Sequence, residues 1–261
     1  MPSRLHDEWT RLRTALRHVD AQAATVLTLA SFLVVLQFVL GSRSLFLREF
    51  GMLLPSDWRG LASWGWWFGM QGVLGFVIPV VVLRAVFRQS WHAMGLGLGD
   101  WKLASSLAGV YLVGVAVATW VLSDGSGFQA QYPHHKPAAR DWSVFLVYEA
   151  LFLFYWIGWE YLWRGFALFG TRHALGLSAI FVQTVPFAAL HVDKPWPEAL
   201  LSVVGGIALG ALVWRCRSFW IAVPIHAAQM MVLDFWCTLR VRSGASGIGW
   251  GAFQEALRAL G

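Results

Sequence analysis

The stretch 156-WIGWEYLWRGF-166 sits in a long apolar run yet carries Glu160 and Arg164. Four residues apart on a helix, the two share a face and lie one turn from each other. In apolar surroundings such a pair is either a structural lock, the glutamate neutralised by the arginine, or part of a site that handles protons. Glu149 lies eleven residues before Glu160, close to three whole turns, so it points the same way. A second polar island is 186-PFAALHVDKPWPE-198. Phe187 and His191 are four apart at the end of a short apolar run, and Glu198 follows a Pro-rich turn, where the first turn of a helix favours a carboxylate. A third island is 224-PIHAAQMMVLDF-235. It sets His226 about 12 Å into an apolar run, with Gln229 one turn further and Asp234 two turns further. Taken singly, a histidine at a span end is more often an interfacial residue, and a buried one can simply bond a neighbouring helix. Taken together, carboxylates and imidazoles are the groups that accept a proton from water, and amides or cations are what hold an oxyanion.

The elements that must position these residues are membrane helices. Of the 261 residues, 57% are hydrophobic and 13% charged, about half the charged share of roughly 25% usual in soluble domains. Several apolar runs approach the ~20 residues a helix needs to cross a ~30 Å hydrocarbon core. The expected spans are about 24–41, 60–87, 103–122, 143–169, 175–190, 198–214 and 218–239. This is an all-α, polytopic transmembrane bundle of about seven spans (six to eight). The second span contains Pro79, where a kink is expected, and the fifth is short. The organisation reads as an amphipathic lead-in over 1–22, N-terminal transmembrane helices over 23–142, a core over 143–240 and a tail over 241–261.

The net charge of +6 does not point to nucleic acid, because the Lys and Arg residues cluster in short loops beside apolar runs, as membrane orientation requires. Arg4, Arg11, Arg13 and Arg17 precede the first span; Arg84, Arg88, Lys102, Arg164, Arg172, Arg215 and Arg217 follow in register with a cytoplasmic N-terminus. Arg43, Arg48, Lys136 and Arg140 lie on the opposing loops. Trp58, Trp64, Trp66, Trp67, Trp101 and Trp142 sit near span ends, as interfacial anchors do. Cys216 and Cys237 form neither a disulfide framework nor a zinc pattern. The polar start and the absence of a small-residue cleavage site indicate an uncleaved first span.

Taken in order, Glu-x-x-x-Arg, Phe-x-x-x-His and a buried histidine on a later span resemble the CPBP family of intramembrane proteases (CAAX prenyl protease and bacteriocin-processing, or Abi). The resemblance covers about residues 143–239; the earlier spans match only in being apolar. The family's motifs are Glu-Glu-x-x-x-Arg, Phe-x-x-x-His and His-x-x-x-Asn or Asp. Arg164 matches the motif arginine, and Glu160 the second glutamate, which in the family pairs with it. Phe187 and His191 match the second motif and His226 the third. The small-residue run 202-SVVGGIALGALVWRCRS-218 matches the family's span before the last motif. Two seats differ. Trp159 stands where the family has the first glutamate, which activates water, and Met230 stands where it has the residue that helps hold the oxyanion. Glu198, or Glu160 itself, is a candidate for the lost carboxylate, and Gln229 for the lost amide.

The resemblance implies an intramembrane endopeptidase acting on a membrane-anchored or lipidated protein or peptide, in a bacterial inner (plasma) membrane. His191 and His226 would position water and stabilise charge, Glu198 or Glu160 would be the base, and Arg164 would fix Glu160. A catalytically inactive binding or scaffold protein on the same fold is the alternative, motivated by Trp159 and Met230. A small proton-coupled transporter using Glu149, Glu160 and Asp234 would need two related halves, and the chain shows no such internal symmetry. No cofactor is expected. A divalent metal such as zinc would take His191 and His226, but there is no His-Glu-x-x-His motif. Simple alternation of spans puts Glu160 near the cytoplasmic end of span four and His191 at the outer end of span five. A shared site therefore requires span five to start deep, tilt or be re-entrant.

Overall fold

The computed structural model describes residues 2–260. Eleven helices follow one another, and no strand occurs among the described residues. They are α1 (Pro2–Leu16), α2 (Ala21–Val39), α3 (Arg43–Glu49), α4 (Ser56–Val86), α5 (Trp101–Leu122), α6 (Ser126–Gln131), α7 (Trp142–Leu175), α8 (Ser178–Ala189), α9 (Trp196–Cys216), α10 (Phe219–Ser243) and α11 (Trp250–Arg258). Six of these, α2, α4, α5, α7, α9 and α10, are long and apolar enough to cross a membrane. The chain is an integral membrane protein built as a polytopic helical bundle. The expected fifth span is the exception. It shrinks to the 12 residues of α8, about 18 Å of helix, well short of a ~30 Å core.

Local sequence sets the helix ends. Asp20, Asp100 and Asp141 cap α2, α5 and α7 by accepting backbone N–H groups, which satisfies donors a helix start leaves unpaired. The chain passes through Pro79 without breaking, because α4 widens into π turns at Val73–Val77 and Val82–Val86 on either side. A third π stretch, Tyr161–Ala167, lies inside α7 and carries Arg164. At the far end of α10, Gly244 takes the left-handed φ of 73° that closes the helix.

α7 is the axis of the molecule. Every residue from Gly158 to Thr171 is buried, whereas Val110, Val113 and Val117 of α5 and Val185 of α8 are exposed, the surface a bundle offers to lipid. α4 approaches α7 through glycines: a methyl group on Gly158 would overlap the Gln71 carbonyl, and one on Gly75 would overlap the Gly158 carbonyl. Phe68 of α4 stacks on Phe152 of α7 with ring centroids 4.5 Å apart, just before that crossing. α10 runs antiparallel to α7, so that Phe235 meets Trp142 and His226 meets Trp156. α8 lies along α9, where Gly206 and Gly210 let Thr184, Phe187 and Gln183 close in and Gln183 Nε2 donates to the Gly206 carbonyl at 3.1 Å. This is the small-residue packing expected between membrane helices.

The glycine crossing makes a prediction. Gly158→Ala forces the α4 and α7 backbones apart and should destabilise the fold by about 1–3 kcal/mol, read as a lowered thermal midpoint in lipid. Gly114→Ala, with open space around it, is the control that should change little. Equal midpoints would show that α4 and α7 are not held by this contact.

Candidate functional site

Glu160 is wholly buried, and its Oε1 accepts two hydrogen bonds, from Arg164 Nη1 at 3.1 Å and from His226 Nδ1 at 2.5 Å. The first partner is one turn along α7; the second comes from α10. Taking a carboxylate out of water costs several kcal/mol, and both charge-assisted bonds offset that cost. The Arg164 guanidinium carbon stands 4.0 Å from the Phe187 ring of α8, a stacked cation. Phe187 in turn lies 4.6 Å from the His191 ring and 6.3 Å from the His226 ring, so both imidazoles flank it.

The two histidines are held in the same way. His191 Nδ1 is 2.7 Å from the Phe187 carbonyl oxygen. A carbonyl can only accept, so Nδ1 carries the proton and Nε2 is left with a free lone pair. In His226 it is the Glu160 carboxylate that takes the hydrogen bond from Nδ1. His191 thus presents an unprotonated Nε2, and the Nε2 of His226 is turned away from Glu160.

These contacts bring the expected spans four and five together. α7 runs to Leu175, beyond the expected end near residue 169, so Glu160 lies near its middle. α8 then folds back from that end and stops after 12 residues, at the level of the Glu160 turn. His191 follows in the turn that leads to α9.

Trp159 brings a bulky indole beside Glu160. It is buried, stacks on Tyr155 at 5.5 Å, and stands 5.8 Å from Phe187 and 6.2 Å from His191. Met230 is buried in the apolar core. Of the expected residues, Glu160, Arg164, His191 and His226 converge; two others are engaged elsewhere. The Gln229 amide oxygen accepts from Tyr111 Oη of α5. Both oxygens of Glu198 accept from Tyr132 Oη, at 2.6 and 2.7 Å. Glu149 and Asp234 of α10 are both buried, and neither is hydrogen-bonded to Glu160. As for a metal, the site offers two imidazoles, and among the described residues no three His, Cys, Asp or Glu side chains gather to hold one. Catalytic zinc takes three protein ligands, so the expected pairing of His191 with His226 lacks a third donor and the residues do not fit that ion.

The residues that sequence reasoning missed are Tyr132, His134 and Lys194. Lys194 Nζ donates to Tyr132 Oη at 3.1 Å and to His134 Nε2 at 3.2 Å, and His134 stacks on Trp64 of α4. A strap from the 123–141 loop is thereby tied to the turn that carries His191. The signal was present in 131-QYPHHK-136, a polar cluster between two apolar spans. Burial holds His134 well below the usual imidazole value, and the Lys194 ammonium adds to that. Burial likewise raises the Tyr132 hydroxyl, with the Glu198 carboxylate beside it.

The family profile described as "Type II CAAX prenyl endopeptidase Rce1-like" matches residues 141–232, the segment from the cap of α7 to the middle of α10. That segment, about a third of the chain, is similar to the Rce1-like family. Glu160, Arg164, Phe187, His191 and His226 all fall inside the Rce1-like core, whereas α1–α6 lie outside it. No curated protein and no solved structure matches the chain.

Two predictions follow from this geometry. Arg164→Met strands the buried Glu160 and should cost about 3–5 kcal/mol, whereas adding Glu160→Gln should recover much of it; additive losses in thermal unfolding would show that the pair is not coupled. The strap should respond to acid. Because the folded state lowers the proton affinity of His134, its contribution is complete above about pH 6.5 and declines as the pH falls below that value. Thermal midpoints between about pH 8 and about pH 5 should fall for the wild type and fall less for His134→Phe. Parallel profiles would remove His134 from the account.

Proposed function

We propose that this chain is an intramembrane endopeptidase that cuts a membrane-anchored or lipidated protein or peptide, and that its base is an imidazole instead of the carboxylate missing at position 159. The observation that carries this reading is the shared oxygen of Glu160: it holds His226 through Nδ1, so that Nε2 is the ring nitrogen left without a protein partner. A carboxylate behind an imidazole fixes the tautomer and stabilises the imidazolium formed when a proton is taken.

In this mechanism His226 Nε2 removes a proton from water as the water oxygen bonds to the scissile carbonyl carbon. The carbonyl π pair moves onto oxygen. The proton then passes from His226 to the departing amide nitrogen as the C–N bond breaks, leaving a carboxylic acid and an amine. His191 Nε2 accepts a hydrogen bond from the attacking water and so orients it. Arg164 keeps Nε and Nη2 without protein partners, two cationic donors for the developing oxyanion. Glu198, already tied to Tyr132, holds the strap and is not the base. The bundle would sit in a bacterial inner membrane with the α1 end in the cytoplasm, the side richer in Lys and Arg.

A second reading has its own observation: Trp159 packs against Phe187 and His191, where it suits a non-catalytic site that binds a peptide. One experiment separates the two. Peptides released from cells with and without the protein are compared by mass spectrometry, and candidates are tested on purified protein in lipid discs. His226→Ala and His191→Ala, shown to be folded, should lose about 10²–10⁴-fold in rate, and Glu198→Gln should retain activity. Loss in Glu198→Gln alone would move the base to α9. If wild type cuts nothing and Trp159→Glu does, the site is a retired protease and the binding reading stands.

A further inference from the structure

α1 carries a feature that neither the site nor the bundle uses. Every residue of Arg4–Leu16 is exposed, yet Leu5, Trp9, Leu12 and Leu16 follow at spacings of four, three and four, one stripe on a helix of 3.6 residues per turn. Their exposures run from 48% to 75%, an apolar face with nothing packed on it. Arg4 and Arg11 flank the stripe on one side, and His6 and Arg13 on the other. Arg13 leans over the Trp9 ring, 5.4 Å from its centre. Asp7 faces away from the stripe, and Glu8 is engaged by Arg11 at 3.1 Å.

The tether fixes where this face must be. Only Arg17–Asp20 separate α1 from α2, at most about 14 Å of chain, and α2 is a membrane span. The start of α2 is fastened to the end of α7. Asp20 Oδ1 caps Ala23 N at 2.7 Å and meets His173 Nε2 at 3.0 Å, and Gln22 Nε2 donates to the Gly170 carbonyl at 2.7 Å. α1 is therefore confined to the surface of the bilayer that α2 enters. That end of the bundle is also the more basic one. It carries Arg4, Arg11, Arg13, Arg17, Arg84, Arg88, Lys102, Arg172, Arg215 and Arg217 against Asp7, Glu8, Asp20 and Asp100.

We propose that α1 lies flat in the headgroup region of that bilayer face and is an interaction surface for anionic phospholipid, with Leu5, Trp9, Leu12 and Leu16 in the acyl boundary and the flanking arginines on lipid phosphates. A helix with an apolar stripe edged by arginines has the pattern of an interfacial helix, whose long cationic side chains reach from the apolar edge to the charged layer. The surface helix is thereby linked, through the Asp20–His173 and Gln22–Gly170 contacts, to the end of the helix that carries Glu160.

The test uses the full chain in lipid discs of phosphatidylcholine alone or with a third phosphatidylglycerol. Single cysteines at positions 4–16, in a Cys216→Ala, Cys237→Ala background, carry spin labels whose access to oxygen (lipid side) and to a water-soluble nickel complex is compared. The expected result with phosphatidylglycerol is oxygen access that peaks at 5, 9, 12 and 16 and nickel access that peaks opposite. In phosphatidylcholine alone the contrast should weaken. Replacing Arg4, Arg11, Arg13 and Arg17 by Gln should lower the docked-to-free ratio by about fivefold per charge removed, with the thermal midpoint of the bundle unchanged because α1 packs on nothing in it. Uniform nickel access at all positions overturns the proposal. So does equal docking on both lipids, which would leave an apolar contact with no preference for negative charge.

Discussion

A carboxylate in the middle of an apolar bundle has to be neutralised. Glu160 meets that constraint with Arg164 from its own helix and His226 from α10, both on one oxygen. Much of the core's arrangement depends on this. Arg164 can reach back only because α7 continues past it, and its free face is closed by Phe187, which brings in α8. α8 can reach that level only because it is short and folds back from the end of α7. The glycines of α9 then let α8 sit close enough to hold Phe187 in place. Four helices thus meet around one charge pair, and the same contacts leave two imidazoles flanking one aromatic ring.

Trp159, beside Glu160, offers no group that takes a proton, and Glu160 is committed to its two partners and cannot leave them without stranding a buried cation. The two imidazoles are the ring groups beside Glu160 whose Nε2 atoms make no hydrogen bond within the protein. The strap of Tyr132, His134 and Lys194 adds a second constraint from outside the matched segment. It ties a loop between α5 and α7 to the turn carrying His191, so residues beyond the Rce1-like core also set the geometry of the site.

The helical architecture was legible in the sequence because apolar length and low charge leave few alternatives for a chain like this. The four converging residues were legible through the spacing of Glu160, Arg164, Phe187, His191 and His226. What spacing could not supply was depth. α7 runs six residues past the expected end at 169, and α8 has only 12 helical residues where a short span is expected. Nor could spacing say which polar side chains were already engaged. Glu198 and Gln229 read as free groups until Tyr132 and Tyr111, each distant in sequence, closed on them. Long-range pairing of this kind leaves no mark in local periodicity.

The central claim is that Glu160 holds His226 with the proton on Nδ1 and Nε2 open. The most direct measurement is the ¹⁵N spectrum of histidine-labelled protein in lipid, with the His226 signals identified by their loss in His226→Gln. The account predicts Nδ1 protonated and strongly hydrogen-bonded and Nε2 bare, and loss of that single-tautomer signature in Glu160→Gln. A His226 protonated on Nε2, or one whose spectrum is untouched by Glu160→Gln, would contradict it.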